Sequence, residues 1–192
     1  MSIKTTGYHG TTDTAANLIV SQNKFYVSKK DIEWLGFGTY FFAHKSYAEW
    51  WAKLQLEVPK NQGERPAILS VKLTYDENQL LDLDDPIQRN QVNELIQRLA
   101  KNTANVDNAP KANLSAIDQR KLWCLACNLY RRINKDIAIT AYTFPVRTNP
   151  IGFSDTQRQF CVNNPAIISN IKKEIGRARL NSSHSAKSRM PS

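Results

Sequence analysis

Between positions 67 and 75 the residues Leu69, Val71 and Leu73 alternate with polar neighbours, the period of a strand with one face in a core. Upstream, Ala15, Ala16, Leu18 and Ile19 fall on one helical face behind a Thr12-Asp13 cap, and Asn23 or Lys24 stands where a left-handed residue would end the helix. Residues 25–33 read as loop. Ser46 is expected to cap a second helix carrying Tyr47, Ala48, Trp50, Trp51, Leu54 and Leu56, which stops before Pro59. Residues 60–66 form a turn, and 80–83 a short extended piece. Asp85-Pro86 opens a helix with Val92, Leu95, Ile96 and Leu99 on one face. After a loop over 102–112, Ser115 starts another helix whose stripe of Leu122, Leu125, Ala126, Leu129 and Ile133 should be buried. Strands follow at 137–146 and 157–162, separated by a polar loop with Gly152; Asn163-Asn164-Pro165 turns the chain, and 166–172 closes the sheet or begins a last helix. There is no internal repeat. Strands that return without regular strand-helix alternation predict an α+β fold rather than a doubly wound parallel sheet, compatible with two small antiparallel sheets around a cleft.

One stretch departs from simple periodicity. Trp34-Leu35-Gly36-Phe37-Gly38-Thr39-Tyr40-Phe41-Phe42 holds five aromatics and two glycines in nine positions. Each Gly costs a helix interior ~1 kcal/mol relative to Ala, and a Gly near a strand marks a bulge or a close approach of ligand or backbone. A loop over 34–38 running into a strand over 39–42 would present ring faces beside open backbone, as the wall of a pocket for a flat ligand does. An aromatic core strand with a bulge is the alternative.

Tyr8-His9-Gly10-Thr11 closes a short N-terminal run over 2–8 and places His9 and Gly10 at a strand-to-helix junction. With Gly38-Thr39-Tyr40-Phe41 and Gln157-Arg158-Gln159-Phe160-Cys161-Val162, this layout resembles the ADP-ribosyltransferase fold. The likeness is to the poly(ADP-ribose) polymerase and diphtheria-toxin branch, and nearer still to small bacterial proteins of unassigned function with the pattern YHGT, WLGxGxYFF, QxCVxNP. It spans roughly residues 5–172. The resemblance implies split antiparallel sheets around an NAD cleft with flanking helices, in a domain over 1–176. It further implies transfer of ADP-ribose from NAD through an oxocarbenium-like transition state.

In that frame His9 would hold the adenine-side ribose, Gly10 with Thr11 beside it would present backbone to the nicotinamide carboxamide, and Tyr40 would stack on nicotinamide. Trp50 is the expected second stacking ring, with Tyr47 or Trp51 as alternatives. Core packing is the plainer role for each aromatic. The family's catalytic Glu is replaced by Gln159, which can bond a ribose hydroxyl but carries no charge and cannot be a general base. Asp155, Gln157 and Gln159 share a face by parity, so Asp155 could supply a carboxylate only if its strand begins that early. The change puts chain elongation in doubt. It leaves two readings: single ADP-ribose transfer to a macromolecular acceptor, protein or nucleic acid, as in a bacterial toxin or phage-defence effector with an antitoxin or inhibitor partner; and a catalytically silent NAD- or ADP-ribose-binding module. A 2′-phosphotransferase on the same fold is a weaker third, since its further basic and histidine motifs are not evident.

Composition narrows the field further. The chain's 192 residues suit one domain with a sizeable core, no apolar run approaches a membrane span, and the first thirty residues lack the pattern of a signal peptide. Cys124, Cys127 and Cys161 cannot all pair within one chain, which favours a reducing, cytoplasmic setting. The CxxC lies mid-helix, so small core residues are expected there rather than a thioredoxin-like or zinc site. His9, His44 and His184 are the only histidines, and no metal cluster, Ser-His-Asp or Cys-His signature, Walker or Rossmann glycine pattern stands out. Net charge is +9, but residues 177–192 carry four of the positive charges and no acid, leaving +5. That Ser-rich, aperiodic tail reads as disordered and resembles translated sequencing-adapter sequence; a basic arm that binds nucleic acid is the alternative.

Overall fold

Alternation dominates the strands. β1 (Ser2–Thr12) and β3 (Pro66–Asp76) pair antiparallel along their whole lengths, from Ser2↔Asp76 to Thr12↔Pro66. The computed structural model describes residues 1–104, 116–147 and 155–174. Among these, the other strands are β2 (Thr39–Phe42), β4 (Leu80–Asp82), β5 (Ile139–Arg147), β6 (Asp155–Val162) and β7 (Ile168–Lys173), and the helices are α1 (Asp13–Gln22), α2 (Lys45–Gln55), α3 (Pro86–Ala104) and α4 (Ala116–Ile133). The mixed α+β class agrees with the pattern. The expected tail and the Gly152 loop lie outside the described residues.

Two separate small sheets are the expectation; the strands instead form one seven-stranded sheet in the order β4-β5-β6-β2-β1-β3-β7. All pairs are antiparallel except β4 with β5. The sheet is nearly divided in its middle, however, because β1 and β2 share one register pair, Tyr8↔Phe42. On either side the ladders are long, β2 pairing β6 from Thr39↔Val162 to Phe42↔Gln159.

Register assigns each side chain to a face. One face carries Phe41, Leu69, Val71, Leu73, Tyr75, Ile139, Ala141, Phe160 and Val162, covered by Ala16 and Ile19 of α1 with Phe25 and Ile167. The other carries Tyr40, Cys161, Tyr142 and Phe144 beneath α3 and α4, and Phe42, Tyr8 and Ile68 beneath Ala48 and Tyr47 of α2. At the outer edge, Lys173 of β7 bonds Asp13 of α1 at 2.8 Å, and Lys45 of α2 bonds Glu174, also at 2.8 Å.

Several local expectations change. Strand β1 runs on to Thr12, so His9, Gly10 and Thr11 lie inside a strand rather than at its junction with α1; Thr12 is the helix cap, and Asn23 ends the helix in the left-handed region at φ 48°. Helix α2 starts at Lys45 with His44 at its cap and no side-chain bond there, so Ser46 is helical, not capping. The predicted α4 stripe is wrong at Leu125 and Ile133, which are 44% and 74% exposed. The buried face follows Cys124, Ala126, Cys127 and Arg131, so the CxxC holds small core residues as expected, and Arg131 takes the place expected of Leu125 and Ile133. Residues 166–172 resolve to a 3-10 turn and the edge strand β7, with a register shift against β3 between Ser70 and Lys72.

Helix α2 sits on β1 because Gly10 has no side chain. A Cβ at Gly10 would stand 2.1 Å from the Ala48 carbonyl oxygen and 2.9 Å from the Ala52 nitrogen, both rigid backbone atoms. Gly10→Ala should therefore destabilise the protein by about 1–3 kcal/mol or more, the range for overpacking, read from urea unfolding. An unchanged midpoint would mean that α2 is not seated there.

Candidate active site where the sheet opens

The opening follows from a side chain that enters the ladder. Continuing the Tyr8↔Phe42 register by two residues would set Gly10 opposite Tyr40. Instead the Tyr40 carbonyl accepts a hydrogen bond from His9 Nδ1 at 2.8 Å. The His9 ring is wedged edge-on against Phe25 and Phe41, with centroids 5.3 and 5.9 Å away. Because a carbonyl only accepts, Nδ1 carries the proton, and in the neutral ring Nε2 is left as an acceptor. Burial in this aromatic setting lowers the His9 pKa from its ordinary 6.5, against the Tyr40 carbonyl, which raises it.

Gly10 is thereby turned to the opening. Its register partner on β3 is Ile68, whose carbonyl accepts from the Glu174 N–H on the far side at 2.8 Å. In an antiparallel strand the N–H and C=O of one residue point to the same side, so Ile68 faces β7 and not β1. The pair Gly10↔Ile68 is therefore the non-bonded kind, and the Gly10 N–H and C=O face β2, where the register has ended. Thr11, on the His9 face, is half-buried opposite Ala67.

Across the opening, Tyr40, Phe42 and Gln159 share the face opposite to His9, with Phe42 directly beside Gln159 and Tyr40 beside Cys161. Tyr40 Oη donates to the Gly36 carbonyl at 2.7 Å and accepts from the Leu35 N–H at 3.0 Å. Burial pushes the phenol far above its ordinary 10, and its two hydrogen bonds commit its polar end to the loop. Trp50 is 50% exposed on the outer side of α2. The rings that flank Phe42 are Tyr47 and Trp51, at 6.4 and 6.5 Å. Tyr47 Oη reaches over to donate to the Thr156 carbonyl at 2.9 Å. Strand β6 begins at Asp155, which meets the parity condition, yet four residues of strand separate it from Gln159 by ~13 Å, too far to stand in for it.

The loop glycines serve packing rather than an open ligand wall. A Cβ on Gly38 would lie 2.4 Å from Cys161 Sγ, and one on Gly36, at φ 85°, would lie 2.2 Å from Arg131 Nη2. Arg131 is 7% exposed and was not singled out by the pattern, although an Arg one turn beyond Cys127 on a helix that buries that face is the signal that marks it. Its guanidinium donates to the Phe37 carbonyl at 3.0 Å, to Asn128 Oδ1 at 2.6 Å and to Cys161 Sγ at 3.7 Å. Asn128 Oδ1 also accepts from the Phe37 N–H at 2.9 Å. The three cysteines are free and buried, and burial pushes the Cys127 thiol up to about 12. Among the described residues no group of His, Cys, Asp and Glu could hold a metal ion.

No family model, curated protein or solved structure matched the chain. Among the described residues no helix is long and apolar enough to cross a membrane.

The neutral His9 gives stability a pH signature. With its folded pKa below the ordinary 6.5, the unfolded chain binds the proton more readily. The contribution is thus full above about pH 6.5 and is lost as pH falls through the folded value. His9→Gln, which keeps a donor but does not titrate, should flatten the decline in Tm between about pH 7 and about pH 5. Parallel Tm profiles for the two proteins would remove His9 from that role.

Proposed function

We propose that this chain is a cytoplasmic NAD-dependent mono-ADP-ribosyltransferase acting on a macromolecular target, protein or nucleic acid. The observation that carries the reading is the opening beside Tyr8↔Phe42, which turns the backbone N–H and C=O of a glycine toward a face bearing Tyr40, Phe42 and Gln159. A carboxamide needs one acceptor and one donor side by side, and Gly10 turns both toward β2, while the backbone of α2 at Ala48 and Ala52 closes the face above it. NAD supplies the ribosyl carbon and nicotinamide as leaving group, which departs with the bonding electron pair. Gly10 would fix the nicotinamide end. Tyr40 or Phe42 would offer a ring face, with Tyr47 or Trp51 from α2 as the second wall in the place expected of Trp50. His9, on the opposite face, would act on the ligand only indirectly, by holding the Tyr40 carbonyl away from Gly10. Gln159 would bond the nicotinamide-side ribose and hold it in line for attack.

The same residue favours a second reading. Gln159 brings no negative charge to the positive charge that develops at the ribose carbon, and Asp155 lies too far along β6 to bring one, so a binding module without turnover is the alternative.

Nicotinamide release from NAD in the presence of cell extract separates the two. An enzyme should release it, Gln159→Ala should slow release by roughly tenfold to a thousandfold with little change in NAD affinity, and Gln159→Glu should preserve or raise it. No release from the natural protein, with NAD bound and release gained by Gln159→Glu, would establish the binding module. Labelled NAD followed by separate protease and nuclease digestion identifies the acceptor class.

A further inference from the structure

A second concavity lies on the sheet face of Tyr40 and Gln159, between the loop at Trp34 and helices α3 and α4. Trp34 and Leu35 of the loop, Trp123 and Cys127 of α4, Arg89, Val92 and Ile96 of α3, Leu83, and Tyr142 and Phe144 of β5 line a half-open cavity of about 130 Å³. Neither His9, Gly10, Tyr40 nor Gln159 lines it. Its walls are mostly aromatic: Trp34 and Trp123 stand 5.1 Å apart, Trp34 and Phe144 5.6 Å, and Tyr142 meets Phe144 edge-on at 4.8 Å. A dry apolar cavity of roughly 150 Å³ is large enough to take up benzene, so this one suits a single ring.

Charge sets the rest of the ligand. Arg89 reaches the cavity from α3, held through Nη1 by the carbonyl oxygens of Leu83 at 3.0 Å and Asp84 at 3.3 Å. The Asp84 carboxylate is committed elsewhere, to Arg158, Thr143 Oγ1 and the Thr143 N–H, and Asp85 caps α3 through the Ile87 N–H and bonds Gln88. Among the described residues no carboxylate forms an ion pair with Arg89. A second guanidinium, Arg120, lies 4.6 Å over the Trp34 ring, and its buried Nε has no hydrogen-bond partner among the described residues. Arg89 at the wall of an apolar, aromatic space, with Arg120 on the Trp34 ring adding positive potential nearby, favours an anion with a flat hydrophobic body.

We infer that this cavity binds a small aromatic carboxylate, the ring among Trp34, Trp123, Tyr142 and Phe144 and the carboxylate on Arg89. The inference stands whether or not the chain uses NAD. Benzoate titrated into the whole protein should give saturable heat and change the tryptophan fluorescence, since two of the walls are indoles. Benzyl alcohol, with the ring but no charge, and acetate, with the charge but no ring, should each bind at least about tenfold more weakly. Arg89→Gln should bring benzoate down to the level of benzyl alcohol, Arg89→Lys should recover part of the loss, and Ile96→Phe, which puts a ring into the space, should abolish both. Circular dichroism checks that each variant is folded. Absence of saturable benzoate binding to the folded natural protein would overturn the assignment, as would equal affinity of natural protein and Arg89→Gln.

Discussion

The molecule depends on one interrupted ladder. Two ribbons of strands, β7-β3-β1 and β2-β6-β5-β4, meet at Tyr8↔Phe42 and nowhere else in register. Zipping them further would satisfy Gly10 against Tyr40 and leave an ordinary sheet. The imidazole of His9 prevents it by taking the Tyr40 carbonyl for itself. A net backbone hydrogen bond is worth only ~1 kcal/mol, so a side-chain bond of similar strength together with aromatic packing around His9 is enough to hold the strands apart. Each ribbon keeps its own cover, α1 and α2 on opposite faces of β7-β3-β1 and α3 with α4 on β2-β6-β5-β4, so the break does not expose the core.

The loop that borders this break is fixed from two directions. Tyr40 Oη holds Leu35 and Gly36 from the strand, while Arg131 and Asn128 hold Phe37 from α4. A guanidinium buried among a carbonyl, an amide oxygen and a thiol must keep every donor directed, since a charge left without partners in a dry interior is costly. That requirement accounts for Gly36, where any side chain would displace Arg131, whereas Gly38 is set by its close approach to Cys161 and the Val162 carbonyl.

Much of the architecture was legible because it rests on local periodicity. Alternation around Leu69, Val71 and Leu73, the Thr12 cap and the left-handed Asn23 are decided within a few residues of themselves, and the helices and strands stand close to where the pattern puts them. What escaped depends on partners far along the chain. That β4 lies parallel to β5, that Leu125 and Ile133 of α4 turn to solvent while Arg131 turns in, and that the loop glycines answer to Arg131 and Cys161 are set by contacts across many tens of residues. His9 and Gln159 were picked out as candidate residues, but their assignment to opposite faces is a matter of register, which only the assembled sheet reveals. Trp50 differs from Trp51 by a hundred degrees around α2, a distinction that a helix boundary one residue off is enough to blur.

The outer strands have a consequence for how the protein behaves in a crowded solution. At one margin β4 is only three residues long; at the other, β7 carries exposed lysines, a left-handed Asn170 at φ 55° and a register shift against β3. Long, flat, uncharged margins invite strands from other molecules and seed fibres, whereas short, kinked and cationic ones repel them. A sheet already opened in its middle would be hazardous with sticky borders as well, and the borders of this one are short at β4 and kinked and cationic at β7.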